Sequence, residues 1–493
     1  MMAAKNVASW RRQSANFFTI DYAMSSAKTG NIAPLDPAAT APFYRQIYDR
    51  FRSAIASGVL KPGDRIPSAR ALTKELGLAR GTIEAAYSLL AAEGYIVARG
   101  QAGTIVAPDL KLRAPAASKP SSAMPPPSFR PDSILPFQMG LPALDMFPRK
   151  IWARLGARCV RAMQAADMAH PPVSGLPELR AAIASYLHMS RGIDCSPSQI
   201  FVTSGYRHTM ELISQALLKE GDRVWLEDPG YPPTRELLAQ RRMIAVPVPV
   251  DQEGMIVSEG IKNAPGARAA VVTPAHQSPL CVTLSLPRRL ALLDWAAQNQ
   301  AWVIEDDYDG EYRYVSRPLP ALKSLDRDGR VLYAGTFSKV LFPAIRLAYL
   351  VVPATQVERF EQIGHTFTGG SPQLTQAIVS AFMSDGHFAR HIQRMRKLYA
   401  VRREAVKAGL EKVLGKHVRI DTPPGGMHLI LRLQGRRSDR VLVASMREHG
   451  LYSEALADWT MTQELAPALL LNFTNIDSQR TAEQLGARML ELM

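Results

Sequence analysis

The run "GTFSKVLFPAIR", Gly335 to Arg346, holds a single lysine, Lys339, among mostly apolar neighbours, and an arginine closes it. A lysine so placed is either a surface residue on a turn or an amine kept for chemistry. Other stretches bear on the choice. "FVTSGYRHTMELI" puts Gly205 at the end of an apolar run, with a helix beginning near Tyr206. Free backbone N–H groups and the helix dipole suit an anion there. "VWLEDPGYPP" carries Tyr231 out on a Pro-Gly turn, where its ring could stack on a flat partner. "AWVIEDDYDGEYRY" ends a buried run in acids, so that Asp306 could pair with a ring-nitrogen cation and Tyr308 could donate to a phenolic oxygen. Thr336, Ser338 and Arg346 flank Lys339, and a guanidinium fork matches phosphate oxygens. A lysine for a Schiff base, a carboxylate at a pyridinium, an anion cradle and an aromatic against the ring are what pyridoxal 5'-phosphate requires. Taken singly, Tyr231 reads as a packed aromatic, Asp306 as a loop acid and Lys339 as a surface charge. Taken in this order they predict a cofactor site. Lys339 is its catalytic lysine, and Gly205, Tyr206, Tyr231, Asp306, Tyr308, Thr336, Ser338 and Arg346 are its companions.

Such a site needs a sheet to hold it. Short Val/Ile/Leu runs ("QIFVTS", "DRVWLED", "RAAVVTP", "AWVIEDD", "RVLYAG") alternate with helical segments, which predicts strands buried on both faces and a mainly parallel sheet. Sites in such sheets form at the strand ends. This α/β domain is expected over 137–493, with a large lobe to about 385. A small lobe, 386–493, opens on the long basic helix "RHIQRMRKLYAVRREAV". The Pro/Ser/Ala-rich stretch 108–136 reads as a linker, and residues 1–40, without periodicity, as a flexible tail.

Between tail and linker, 41–107 reads as three helices and a β-wing. Ile47, Phe51, Ala54 and Ile55 share one face of the first helix, and Ser68 is a good N-cap for the second. A short step leads to a third helix, with Ile83, Ala86, Tyr87 and Leu90 facing inward. That spacing places a recognition helix in a major groove. "YIVARGQAGTIVA" forms the wing. The alternative is a small helical domain used only for protein contacts. The whole chain carries 59 basic against 44 acidic side chains, which fits a polyanionic partner. Three scattered cysteines give no disulfide framework and no metal spacing, and no apolar run is long enough for a membrane span. A cytoplasmic protein without membrane attachment is expected. His387 and His391, four apart, lack further ligands nearby, so no metal is expected.

"IPSARALTKELGLARGTIEAAYSLLAAEGYI" with "GQAGTIV" resembles the winged helix of the GntR family of bacterial transcription factors. The resemblance implies Ser68, Arg70, Arg80 and Thr82 as contacts to double-stranded DNA, with Gly103 in the wing. The rest of the chain resembles fold-type I, aspartate aminotransferase-like proteins, on "HPPVSGLPELRAAIASYL", "EDPGYP" and "TPAHQSPLCVTLSLPRRLALLDWA". Together the two look like the MocR/PdxR-type subfamily of GntR regulators. That resemblance implies a pyridoxal-phosphate-dependent regulator that senses the cofactor itself or an amine or amino-acid effector. It also implies a head-to-tail, domain-swapped homodimer. Four departures bear on catalysis. Leu470 stands where such aminotransferases keep a carboxylate-binding arginine, Arg207 where a neutral polar residue is more common, Ser278 where asparagine is usual and Cys281 where glycine is usual. Efficient transamination is therefore not expected. The alternatives are an active aminotransferase with an appended DNA-binding domain and a DNA-binding protein whose second domain only dimerises.

Overall fold

The computed structural model describes residues 35–37, 39, 41–100, 103–110, 134–314, 320–367, 370–435 and 437–493. The chain divides into two compact units, before and after the Ser128–Phe129 bond. Most of the expected tail and linker lies outside the described residues.

In the first unit, α1 (Phe43–Ala56), α2 (Ala69–Leu76) and α3 (Arg80–Ala92) pack around Ile47, Tyr48, Phe51, Ile55, Leu72, Ile83, Ala86 and Leu90. Ser68 caps α2, its Oγ accepting from Ala71 N at 3.2 Å, and Gly77 ends the helix in the left-handed region at φ 63°. Three strands close the module: β1 (Arg65–Ile66), β2 (Ile96–Ala98) and β3 (Thr104–Val106), in the order β1-β3-β2. The expected wing is the β2–β3 hairpin. β1 is an addition: its two residues are too short to leave a periodic signal. The stretch read as tail also contributes, since Leu35 packs on this core and Asp36 N donates to Gln46 Oε1 at 2.9 Å.

The second unit is built on an eight-stranded sheet. Its strands are β4 (Ile200–Thr203), β5 (Arg223–Asp228), β6 (Ile244–Asp251), β7 (Gly254–Met255), β8 (Ala269–Val272), β9 (Trp302–Asp307), β10 (Val331–Thr336) and β11 (Ala348–Val351). Their order is β4-β11-β10-β9-β8-β5-β6-β7. The pairs from β10 through β9, β8 and β5 to β6 are parallel; β11 runs antiparallel to both β10 and β4. The sheet is mainly parallel, as expected, but β7 at its edge and β11 within it run the other way. For β11 the cause is visible in the connection Phe337–Leu347, which has only a 3-10 turn at Pro343–Ile345 and no room for a crossover helix. The reversal matters for function. β11 begins at the edge where β4, β5, β9 and β10 end, so Arg346 joins Gly205, Tyr231, Asp306 and Thr336 at one edge of the sheet.

Helices α4 (Arg149–Ala162), α5 (Pro177–Arg191), α6 (Tyr206–Leu217), α7 (Pro232–Gln240), α8 (Val257–Asn263), α9 (Leu286–Gln298), α10 (Val357–Phe367) and α11 (Gln373–Ser384) accompany the sheet. The long α12 (His387–Leu414) leads to a smaller antiparallel sheet. It contains β12 (Val418–Asp421), β13 (His428–Leu433), β14 (Glu454–Ala455) and β15 (Ala468–Asn472), in the order β12-β13-β15-β14, with α13 (Asp439–Glu448) and α14 (Gln479–Leu492). Residues 136–145 cross this lobe: Phe137 is buried in its core, Ala143 N donates to Tyr399 OH at 2.9 Å, and Asn472 Nδ2 donates to Leu141 O at 2.9 Å. His391 Nε2 is spent on Val340 O at 2.9 Å, and among the described residues no side-chain cluster could hold a metal ion. No described helix is long and apolar enough to cross a membrane.

The loop after β9 is held by a buried ion pair. Arg191, 2% exposed, reaches Asp307 through Nε at 2.6 Å and Glu311 through Nη2 at 3.2 Å. Tyr333 OH donates to Asp307 at 2.6 Å, and Tyr186 OH to Glu311 at 2.9 Å. Removing the guanidinium leaves two buried carboxylates without a cation, a loss of about 3–5 kcal/mol. Arg191→Ala should lower the unfolding free energy of the second unit, from urea titration followed by tryptophan fluorescence, by that amount; an unchanged free energy would show that the pair is dispensable.

Candidate functional site

Two surfaces carry the residues with chemistry. On the first unit, Ser68, Arg70 and Arg80 are exposed and Thr82 is half-buried at the start of α3. Arg80 Nε pairs with Glu84 at 2.7 Å, both largely exposed. Such i,i+4 surface pairs contribute only about 0.3–0.5 kcal/mol, so a phosphate or base edge can displace Glu84 at small cost. The Ser68 hydroxyl oxygen is committed to its cap. Gly103, at φ 87°, lies where a Cβ would come 3.0 Å from Arg65 Nε. The stretch 43–106 holds nine basic against five acidic residues.

In the second unit a cavity of about 330 Å³ opens at the strand ends. Gly205, Tyr206, Tyr231, Asp306, Tyr308, Thr336, Ser338, Lys339 and Arg346 all line it. Lys339 follows β10, where Tyr312 OH donates to its carbonyl at 3.2 Å, and its Nζ donates to Gly140 O at 3.0 Å. Only a glycine suits position 140: its φ is 76°, and a Cβ would stand 2.5 Å from Lys339 Nζ. Burial lowers the Lys339 ammonium below the ordinary lysine range, against the opposing pull of Asp309, Glu454 and Asp306. A larger neutral fraction makes it a better nucleophile.

Asp306 shows the reverse strain. Burial, then Asp307 and Glu227, push its carboxyl up to about 8, with Lys339 opposing. Its carboxylate has no hydrogen-bonding partner among the described residues. A half-buried acid so placed is stabilised by a cation beside it. At the other end, Gly205 (φ 115°) precedes α6, and a Cβ there would approach the Arg346 guanidinium at 3.3 Å. Glycine therefore lets the arginine close on the free N–H groups of the helix start. Thr336 Oγ1 accepts from Ser338 N at 3.1 Å, fixing that turn. Tyr231 forms an aromatic wall with Tyr206 and Trp459, ring centroids 5.5 and 5.7 Å away.

An unpartnered acid, a nucleophilic lysine, a ring-sized aromatic wall and an arginine at a helix N-terminus fit the base, aldehyde, ring and phosphate of pyridoxal phosphate.

The sequence reading missed a second cluster, in which Tyr308, Asp309 and His428 line the cavity and His276 and Cys281 back them. His276 Nδ1 lies 3.0 Å from Asp309 and 3.0 Å from Tyr308 OH, while Cys281 Sγ lies 3.3 Å from His428 Nε2. Glu227 ties this loop to β5, accepting from Thr273 Oγ1 at 2.5 Å and Gln277 Nε2 at 3.3 Å. Burial opposes ionisation of Cys281, but His428 and then His276 bring its thiol down to about 6. Cys281 has φ 62°, a conformation that suits the usual glycine. Leu470 is fully buried with Cys281 and Trp459 in an apolar cluster. Arg207 points away to Glu236, 3.1 Å off, on the surface.

Residues 43–106 match the family of bacterial regulatory proteins, gntR, and 149–464 match aminotransferase class I and II. The probable rhizopine catabolism regulatory protein MocR of Rhizobium meliloti is 35% identical over 92% of this chain and 94% of its own. The pyridoxine biosynthesis transcriptional regulator PdxR of Corynebacterium glutamicum is 32% identical over 86% and 90%. The chain belongs to the MocR-type family of GntR transcriptional regulators. Its second unit is similar to solved aminotransferases: kynurenine aminotransferase of Pyrococcus horikoshii (26% identity, TM-score 0.66) and the α-aminoadipate aminotransferase LysN of Thermus thermophilus (26%, 0.66). Each match covers 73% of this chain and over nine-tenths of the other. Membership of this MocR-type family implies DNA binding through the winged helix and dependence on pyridoxal phosphate.

Cys281 is only 4% exposed, so its ionisation is read in place, as the ultraviolet thiolate absorbance that Cys281→Ser removes. That absorbance should rise through pH 6 as the thiolate forms, because the two imidazoles lower its pKa, whereas burial raises those of Cys159 and Cys195. His428→Ala should move the Cys281 profile upward; a profile centred near an ordinary thiol in the wild type would refute the cluster.

Proposed function

We propose that this regulator holds pyridoxal phosphate in the cavity at Lys339 and converts the binding of a small amine into a change at DNA. The observation that carries this reading is the convergence of nine residues, from Gly205 to Arg346, on one cavity in a chain that also carries a DNA-reading head. Bound pyridoxal phosphate supplies an electrophilic carbon able to capture amines reversibly. Lys339 would hold that carbon and yield it to an incoming amine. Asp306 would keep the ring nitrogen protonated, Tyr308 would donate to the ring oxygen, and Arg346, Thr336, Ser338 and the start of α6 would grip the phosphate. Tyr231 and Tyr206 would cover the ring and exclude water. On the first unit, Arg70, Arg80 and Thr82 would read DNA, with Ser68 and Gly103 shaping the helix start and the wing. A homodimer would present two such heads to two half-sites.

Leu470 weighs against the alternative of an efficient aminotransferase. Leu470 is fully buried behind the cavity wall, so position 470 offers a ligand carboxylate no guanidinium, which loosens the positioning that turnover needs.

Protein incubated with pyridoxal phosphate and desalted should retain a visible absorption band, and Lys339→Ala should lose it. A colourless wild type would refute the cofactor reading. Arg80→Ala should weaken binding to a fragment selected by the wild type by about 1–3 kcal/mol and keep the band. Undiminished binding would displace α3 as the reading helix.

A further inference from the structure

One charged group on the cavity wall is left over once the cofactor's needs are met. Glu454 lies in β14, paired across to Leu470, and lines the same cavity. Tyr452 OH donates to its Oε1 and Trp459 Nε1 to its Oε2, each at 3.0 Å. Both donors are neutral, so they fix the carboxylate in place without cancelling its charge. No ion pair engages it among the described residues. Its field reaches Lys339, whose ammonium it helps to stabilise.

The charges lining the cavity are Asp306, Asp309 and Glu454 against Lys339 and Arg346, with His428 beside them. Asp306, Lys339 and Arg346 are taken by the cofactor in the reading above, on which this inference rests. Asp309 is engaged by His276. Glu454 remains, an anchored carboxylate facing the space where an amine must enter. An anchored, cation-free carboxylate repels a ligand carboxylate and favours a second positive group. The cavity, about 330 Å³, lies at the small end of the roughly 300–1,000 Å³ typical of ligand sites. A ligand sharing it with the cofactor is correspondingly small.

We propose that Glu454 selects an effector carrying a second cation and no carboxylate, in chemical terms a short diamine, captured at the cofactor through one amine and held at Glu454 through the other.

The test titrates the full-length, cofactor-loaded protein with 1,4-diaminobutane, 4-aminobutyrate and butylamine, which share a chain length and differ at the far end. The visible band reports capture. Diaminobutane should half-saturate at a concentration at least about tenfold below that of 4-aminobutyrate, with butylamine between them. Glu454→Gln should bring diaminobutane to within about threefold of butylamine, its visible band showing that the variant is folded and loaded. A stronger response to 4-aminobutyrate, a preference that survives Glu454→Gln, or no response to any amine overturns the assignment while leaving the cofactor reading intact. A wild type without a visible band removes the cofactor reading and this inference together.

Discussion

Five carboxylates crowd into the seven residues from Glu305 to Glu311, and the fold meets each of them differently. Glu305 accepts from the Leu322 and Lys323 backbone N–H groups, both at 2.8 Å. Asp307 and Glu311 share Arg191, and Asp309 takes His276. Asp306 has no hydrogen-bonding partner among the described residues, only the charge of Lys339 set against the acids around it. Half-buried among like charges, it is stabilised by a cation beside it. Much of the second unit follows from this arrangement. The partners of the other four acids come from α5, from the loop after β8 and from the turn before β10, so meeting their needs pins those elements around the cavity. A structural domain would have no reason to leave the fifth acid bare.

Much of this was legible in the sequence because it is written in short-range signals. Apolar runs ending in "TSG", "EDD" and "GTFSK" mark strand ends, and open α/β sheets gather strand ends at one edge. The winged helix was equally legible: Ser68 and Gly77 bracket α2, and Ile83, Ala86, Tyr87 and Leu90 repeat at helical spacing and are buried. The antiparallel β11 was not, because a strand buried on both faces reads the same in either direction. Only the length of the connection betrays its sense. β1 and β14, two residues each, are set by the strands they join and leave no period of their own.

The residues that the sequence reading missed are tertiary in origin. His276 and Cys281, of which only Cys281 stood out, share the loop after β8. His428 reaches them from β13, a meeting that depends on the large lobe and the small sheet closing on one another. The signal that could have found them was local: Cys281 occupies a left-handed position where glycine is usual. Glu454 is hidden for the same kind of reason. Alone it is one acid before a short strand. It acquires meaning only when β15 sets it across from Leu470 and Trp459 donates to it.

The exchange of an arginine for Leu470 therefore amounts to more than a lost anchor. An enzyme spends binding energy on groups that tighten at the transition state. A regulator spends it on the difference between two conformations, and a ligand can move that equilibrium only by as much as it prefers one of them. For such a protein, reversible capture of an amine at Lys339 with no strong grip on the reacting carbon is an advantage, because the complex persists instead of turning over. Leu470 stands where the resemblance expects an arginine, whereas Lys339, Asp306, Tyr308 and Arg346 line the cavity where the cofactor would need them. Chemistry kept and orientation relaxed is the combination that lets a catalytic pocket act as a receptor.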